Sequence, residues 1–254
     1  MALIPNSPIY TPFVEFINGL HLKYLTTTTV QVFNGNASDS TVTNEISIQY
    51  FDVNANPIGV TINTAQNGLN GLDTGAVAAS TLYAIVVVAD STNKHPAGAM
   101  MTLTPAAPYL PFGYDMFRYI GSVMTDGASH ILDFTQRKGG NDRDMYYAAA
   151  IATNISAGAS TTFAAVTVTG APASAAEVIV DAVLTADAGA TRTAALKAVS
   201  SSSAAGQVKM SSPASTVTTA SLVCPCDANG AIDYLVSNGA AAIALSLFGY
   251  VDVL

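Results

Sequence analysis

The chain has 254 residues, with 9 Lys+Arg against 17 Asp+Glu, a formal charge of −8 and only 10% charged residues. That length allows one or two domains with a sizeable core, and a hydrophobic fraction of 50% excludes a chain held disordered by its own charge. The acidic balance excludes a basic footprint for nucleic acid or for an anionic membrane surface, since the densest basic stretch, Arg137-Lys138, is followed at once by Asp142 and Asp144.

Residues 1–24 read as an extended N-terminal arm. Pro5, Pro8 and Pro12 preclude a regular helix. No basic-then-apolar targeting pattern is visible there, and the chain has no apolar run long enough to span a bilayer as a helix. An extended apolar segment needs a surface to lie on, either its own domain or a neighbouring subunit. Ile4, Ile9, Tyr10, Phe13, Phe16 and Ile17 are therefore candidate assembly contacts.

Residues 25–138 read as a first β-sandwich module. Thr26 to Phe33 is β-branched and ends at the turn pair Asn34-Gly35. Glu45 to Tyr50 alternates strictly, placing Ile46, Ile48 and Tyr50 on one face. Asn54-Ala55-Asn56-Pro57 is a turn. Leu82 to Ala89 is continuously apolar and predicts a strand covered on both faces. Ala99 to Thr104 and Phe117 to Met124 are further strands, and Thr125-Asp126-Gly127 turns the chain into a strand over His130 to Phe134. The charged segment 139–147 reads as a solvated linker. Residues 148–254 read as a second, Ala/Ser/Thr-rich module, with a short helix as an alternative at Ala148 to Ala152. Its strands are predicted at Thr161 to Thr169, Glu177 to Thr185, Arg192 to Val199, Gln207 to Met210, Val217 to Val223, Ala231 to Val236 and Ala242 to Val253. The pattern predicts an all-β protein of two β-sandwich or jelly-roll-like modules behind an extended arm.

Chemistry-bearing motifs are sparse. Gly68-Leu69-Asn70-Gly71 lacks the Lys-Ser/Thr of a phosphate loop, and no Gly-x-Ser-x-Gly elbow occurs. His130 near Asp126 and Asp133 reads as a polar turn flank. The pairs Asp126/Asp133 and Asp115/Asp126 read as turn aspartates rather than a glycosidase dyad. Cys224 and Cys226, separated by Pro225, read as unbridged thiols, with a metal or redox pair as the alternative. No catalytic, cofactor-binding or metal-ligating residue is expected. The aromatic run from Tyr109 to Tyr119 fits core or subunit contact, with Tyr109, Phe112 and Tyr114 as a candidate glycan platform.

Three separated motifs add a resemblance. Gly71-Leu72-Asp73-Thr74-Gly75 precedes the strand at Leu82. Leu110-Pro111-Phe112-Gly113-Tyr114 follows, and Arg118-Tyr119-Ile120-Gly121-Ser122-Val123-Met124-Thr125-Asp126-Gly127 completes the order. Over about residues 66–135 this resembles a module of tailed-bacteriophage virion structural proteins, tail-fibre-like or capsid-decoration-like. Residues Ile232 to Ser237 and Phe248 to Asp252 resemble C-terminal sandwiches of the same proteins more loosely. The chain lacks the repetitive shaft or coiled coil of a full-length fibre. The resemblance therefore implies a capsid decoration, head-fibre or short tail accessory subunit located in the virion. It implies other virion proteins of a capsid or tail lattice as partners, a homotrimer by analogy with phage appendages, and no cofactor. A receptor-binding protein that recognises host glycan is the alternative.

Overall fold

The computed structural model describes residues 15–137, 141–199, 201–202 and 207–254. The chain is all-β. In order the strands are β1 (Ile17–Gly19), β2 (Leu22–Thr26), β3 (Thr29–Val32), β4 (Gly35–Ser38), β5 (Glu45–Ile48), β6 (Val60–Asn63), β7 (Leu82–Ala89), β8 (Gly98–Thr102), β9 (Met116–Met124) and β10 (Phe134–Arg137). The order continues with β11 (Asp142–Tyr147), β12 (Ala152–Gly158), β13 (Ala164–Thr167), β14 (Ala175–Thr185), β15 (Arg192–Ala198), β16 (Val208–Ser212), β17 (Val217–Pro225), β18 (Ala231–Val236) and β19 (Ala242–Val253). Among the described residues there is no helix, so none is long and apolar enough to cross a membrane.

The first half folds into three three-stranded antiparallel sheets, β1-β4-β5, β2-β3-β6 and β8-β7-β9, around one core. The strict alternation at residues 45–50 resolves as expected, with Ile46 and Ile48 fully buried on β5. β7 spans the predicted residues and is covered on both faces. Ile85 and Val87 enter the main core, while Val86 and Val88 pack with Met100 in a smaller cluster on the other side. The second half is a sandwich of β13-β18-β15-β16 against the six-stranded sheet β10-β11-β19-β14-β17, to which β12 adds beside β19.

β19 ties the two cores together. Ile243, Leu245 and Leu247 enter the second core, whereas Tyr250 enters the first. The switch from odd to even positions follows from a β-bulge: Val180 pairs with Leu247 and Ile179 with Gly249, leaving Phe248 as the extra residue. Without it, strict period-2 alternation would turn Tyr250 and Asp252 to solvent. Gly249 is required here, because a Cβ at this position would overlap the Met145 carbonyl oxygen on β11.

Two sequence expectations need correction. The arm does not extend to residue 24: Ile17, Leu20 and Leu22 are 5%, 0% and 4% exposed and belong to the first core. They alternate with polar positions, so the segment from Ile17 onward is strand rather than free arm, and Ile17 is a core residue, not an assembly contact. The charged linker does not run through solvent either. Its residues 142–147 form β11, paired on both sides by β10 and β19, and Arg143 and Asp144 are buried. The remaining linker residues 139–140 lie outside the described residues, and Asn141 bonds to both Ile17 and Leu254.

Smaller differences have local causes. His130 to Phe134 is not a strand, because the Asp126 carboxylate captures the N–H groups of Ala128 and His130 and holds a turn. Only a Thr125–Ile131 bridge remains before β10 begins at Phe134. The 148–152 stretch is a bend leading into β12, not a helix.

Candidate functional site

The best-defined region lies where the two halves meet. Arg143 on β11 is fully buried and donates to Leu20 O at 2.7 Å and to Gly19 O at 3.0 Å. It pairs in register with Asp252 on β19. Asp252 Oδ2 accepts from the Tyr119 hydroxyl at 2.6 Å, and the Tyr250 hydroxyl donates to Ser122 O at 2.8 Å. Strands more than 100 residues apart in sequence thus bring their polar groups together in one low-dielectric setting, where Arg143 acts on Asp252 through its charge. Burial raises the Asp252 carboxyl, while Ser174, Tyr119 and the Arg143 charge pull it back. Burial also lowers the Arg143 guanidinium to about 10, opposed by Asp252.

The described chain starts beside this network. Glu15 forms an ion pair with Arg118, whose side chain is largely buried. The Phe16 N–H donates to Ser38 Oγ at 3.1 Å, and the Ile17 N–H to Asn141 Oδ1 at 3.1 Å. The Asn141 carbonyl in turn accepts from the Leu254 N–H at 2.8 Å. Asn141 therefore holds residues 17 and 254 together. Glu15, Phe117, Arg118, Val253 and Leu254 line a cleft of about 430 Å³. A second cleft of about 450 Å³, walled by Leu82, Leu103, Pro172 and Ser174, shares Pro105, Ala106 and Tyr119 with it.

The three predicted platform residues lie in different settings. Tyr109 and Phe112 stand 73% and 99% exposed in the loop between β8 and β9. Tyr114 does not join them: its hydroxyl donates to Pro96 O at 2.8 Å and its ring packs on His95 at 5.5 Å. The aliphatic Leu103, 57% exposed in the same loop, lines the second cleft. Asp73, from the Leu-Asp-Thr-Gly motif, anchors this loop by accepting from Thr102 Oγ1 at 2.6 Å and from the Tyr109 N–H at 3.3 Å. Of the predicted assembly contacts, Phe16 is half-buried. Ile4, Ile9, Tyr10 and Phe13 lie outside the described residues.

The carboxylates have structural work. Asp52, Asp90, Asp126 and Asp227 each accept the N–H groups of residues i+2 and i+4. In each of these turns residue i+3 has positive φ: Ala55, Asn93, Ser129 and Gly230. Asp39 does the same work one residue later, accepting from Thr43 and Asn44, with Val42 at φ 56. Burial alone would raise Asp39, but these donors outweigh it and hold it at about 2. Asp126 is lowered by the backbone bond from His130, and Asp90 by the Thr92 hydroxyl. Asp115 is lowered by Ser91. Such shifts arise from turn geometry, not from a paired-acid cleft. Cys224 and Cys226 are both unbridged, and burial pushes their thiols up to about 12 and about 11. Among the described residues no group of three or more His, Cys, Asp or Glu side chains is placed to hold a metal ion.

Arg143, Asp252 and Leu103 escaped sequence reasoning. The one signal available for Asp252 was its position as a lone charge in an apolar C-terminal strand.

The fold defines an all-β, sandwich-like protein. No protein-family profile matches the chain, and no curated protein matches it. Among solved structures, a Bacillus thuringiensis Cry1Da tryptic core variant is similar at 10% identity with a TM-score of 0.23, over 92% of this chain and 50% of that one. The chain thus spans about half the length of that structure, and a likeness at this level carries no functional argument.

Proposed function

We propose that this chain is a non-enzymatic structural subunit of a tailed-phage virion, a capsid decoration, head-fibre or short tail accessory protein. In this reading it attaches to a capsid or tail lattice through its N-terminal region and displays its β modules as a homo-oligomer. Neither nucleic acid nor membrane is a partner. The observation that carries the reading is the root of the N-terminal segment. Residues 16–22 are bonded into the core through Ser38, Asn141 and Arg143. Whatever precedes Glu15 is therefore tethered at a fixed point, and a tether pulled there loads both cores through β19. The apolar content of Ile4, Ile9, Tyr10 and Phe13 supplies attachment energy of about 1.5–3 kcal/mol for each fully buried side chain. The test is removal of residues 1–14 followed by purification of particles. Loss of the truncated chain from the particle is expected, with the folded protein left in the supernatant. Absence of the full-length chain from particles would refute the reading.

A second reading has its own observation. Tyr109 and Phe112 each expose an aromatic ring of the kind that stacks on sugar rings. Under that reading the subunit recognises host glycan. Changing both to Ala should then abolish binding to host cells and leave particle assembly intact.

A further inference from the structure

β17 is the last strand of its sheet. It pairs with β14 over nine residues, from Glu177↔Pro225 to Thr185↔Val217, without a register shift, and among the described residues no strand is paired along its other side. At about 3.3 Å per residue it offers roughly 30 Å of edge. Natural sheets guard such edges with short strands, bulges, charges, prolines or a covering element.

The other edges of the two C-terminal sheets are guarded in this way. β10 and β13 are four residues each, β12 is broken by two register shifts, and β16 carries Lys209. β17 reads Val-Thr-Thr-Ala-Ser-Leu-Val-Cys-Pro, without a charge or a bulge and with its one proline at the last position, so the edge from Val217 to Cys224 is unguarded; it exposes Val217 at 61% and Val223 at 44%.

We propose that β17 is a self-pairing edge, where two copies of this chain join antiparallel across a twofold axis at Ser221. The occupant follows from charge and pattern. Each copy carries −8, so two copies approach best along a neutral surface, and β17 is one. About Ser221 the strand is self-complementary from Thr219 to Val223: Thr219 faces the partner's Val223, with no charge in either pair, and Pro225, which has no N–H to give, ends the ladder beyond them. Asp181 lies beside Ser221 on β14. Its copy in the dimer would sit three strand spacings away, about 14 Å, beyond a screening length of about 8 Å at physiological salt. The contact is twofold, not the threefold one implied by the resemblance. It rests on the sheet edge alone and stands whatever particle the protein belongs to.

The test is the solution mass of the full chain at micromolar concentration, by light scattering. Wild type is expected at twice the 26.0 kDa chain mass. Thr219→Lys with Val223→Lys sets lysines opposite each other and should give a monomer. Thr219→Lys with Val223→Glu uses the same positions but pairs opposite charges, and should restore the dimer. Only a register centred on Ser221 predicts that difference. Hydrogen exchange of wild-type residues 217–225 should also slow as concentration rises, a readout that needs no variant. A wild-type monomer or trimer overturns the proposal. So does a double-lysine chain that stays dimeric, or exchange in β17 that ignores concentration.

Discussion

Truncation to residue 14 and truncation to residue 24 are expected to give opposite outcomes, although the two cuts lie ten residues apart. The longer cut removes Ile17, Leu20 and Leu22, each fully or nearly fully buried. Burial of such side chains is worth about 1.5–3 kcal/mol each. It also removes Gly19 O and Leu20 O, the two acceptors of the buried Arg143 guanidinium. Stripping a buried charge of its partners costs about 3–5 kcal/mol. The combined loss, about 10 kcal/mol, is of the order of the ~5–15 kcal/mol that holds a typical protein folded. The shorter cut removes none of these groups and keeps the Glu15–Arg118 pair, whose glutamate is more than half exposed and so contributes under about 1 kcal/mol.

Far-UV circular dichroism and thermal melts decide between them. The 1–14 deletion should melt within about 3 °C of the full chain, and the 1–24 deletion should lose the cooperative transition of the first core. A 1–24 deletion that melts like the full chain would refute the assignment of β1 and β2 to the core. Unfolding of the 1–14 deletion would show instead that earlier residues complete it.

Arg143→Met should cost about 1–3 kcal/mol, because it leaves the Gly19 and Leu20 carbonyls without their donor. Arg143→Met with Asp252→Asn should cost less than the two single changes added together, as measured by denaturant unfolding. On acidification, the turn aspartates with lowered pKa contribute stability that is complete above their unfolded value near 3.8 and is lost as pH falls through the folded value. Asp39, held at about 2, should account for about 2 kcal/mol at most between pH 4 and pH 2; Asp252, raised by burial, has the opposite sign. An Asp39→Asn chain with an unchanged acid melting curve over that range would contradict this. Val42→Gly and Ala55→Gly relieve left-handed backbone at φ 56 and φ 62 and should each stabilise by about 0.5–1 kcal/mol in thermal melts. Both thiols should react slowly with a thiol reagent in the native state and promptly in denaturant, since burial disfavours their thiolates; fast native labelling at Cys224 would contradict its complete burial.

The legible parts of this fold were those where one local period held throughout. Leu82 to Ala89 is apolar at every position and became a doubly covered strand. Residues 45–48 alternate strictly, and so does their burial. What stayed hidden depended on pairing between distant residues. Charge at 142–144 reads as solvated when no neighbour is visible. Only β19 on one side and Gly19-Leu20 on the other make Arg143 a buried residue. Residues 17–22 looked like arm because the preceding prolines set the reading of the whole segment, while the partners of their strands come from residues 29–37. Among the aromatics, composition could not separate Phe112, left in water, from Tyr114, captured by Pro96 and His95.

The bulge at Phe248 links these observations. By shifting the buried positions of β19 from odd to even, it keeps Leu247 and Tyr250 on the same inward face while the strand passes from the second core to the first. The same shift places Asp252 opposite Arg143 and within reach of Tyr119. Two residues later the chain reaches Leu254, bonded to the Asn141 that also holds Ile17. A pull applied at residue 15 is therefore resisted first by Asn141 and Arg143, then by β11 and β19, and through β19 by the second sandwich. Both cores lie on one hydrogen-bonded path from the proposed point of attachment, and the free edge at β17 lies across β14 on that same sheet. In a dimer joined at β17, two such paths would continue into one another through a single sheet, so a load at one attachment point would be shared by both copies.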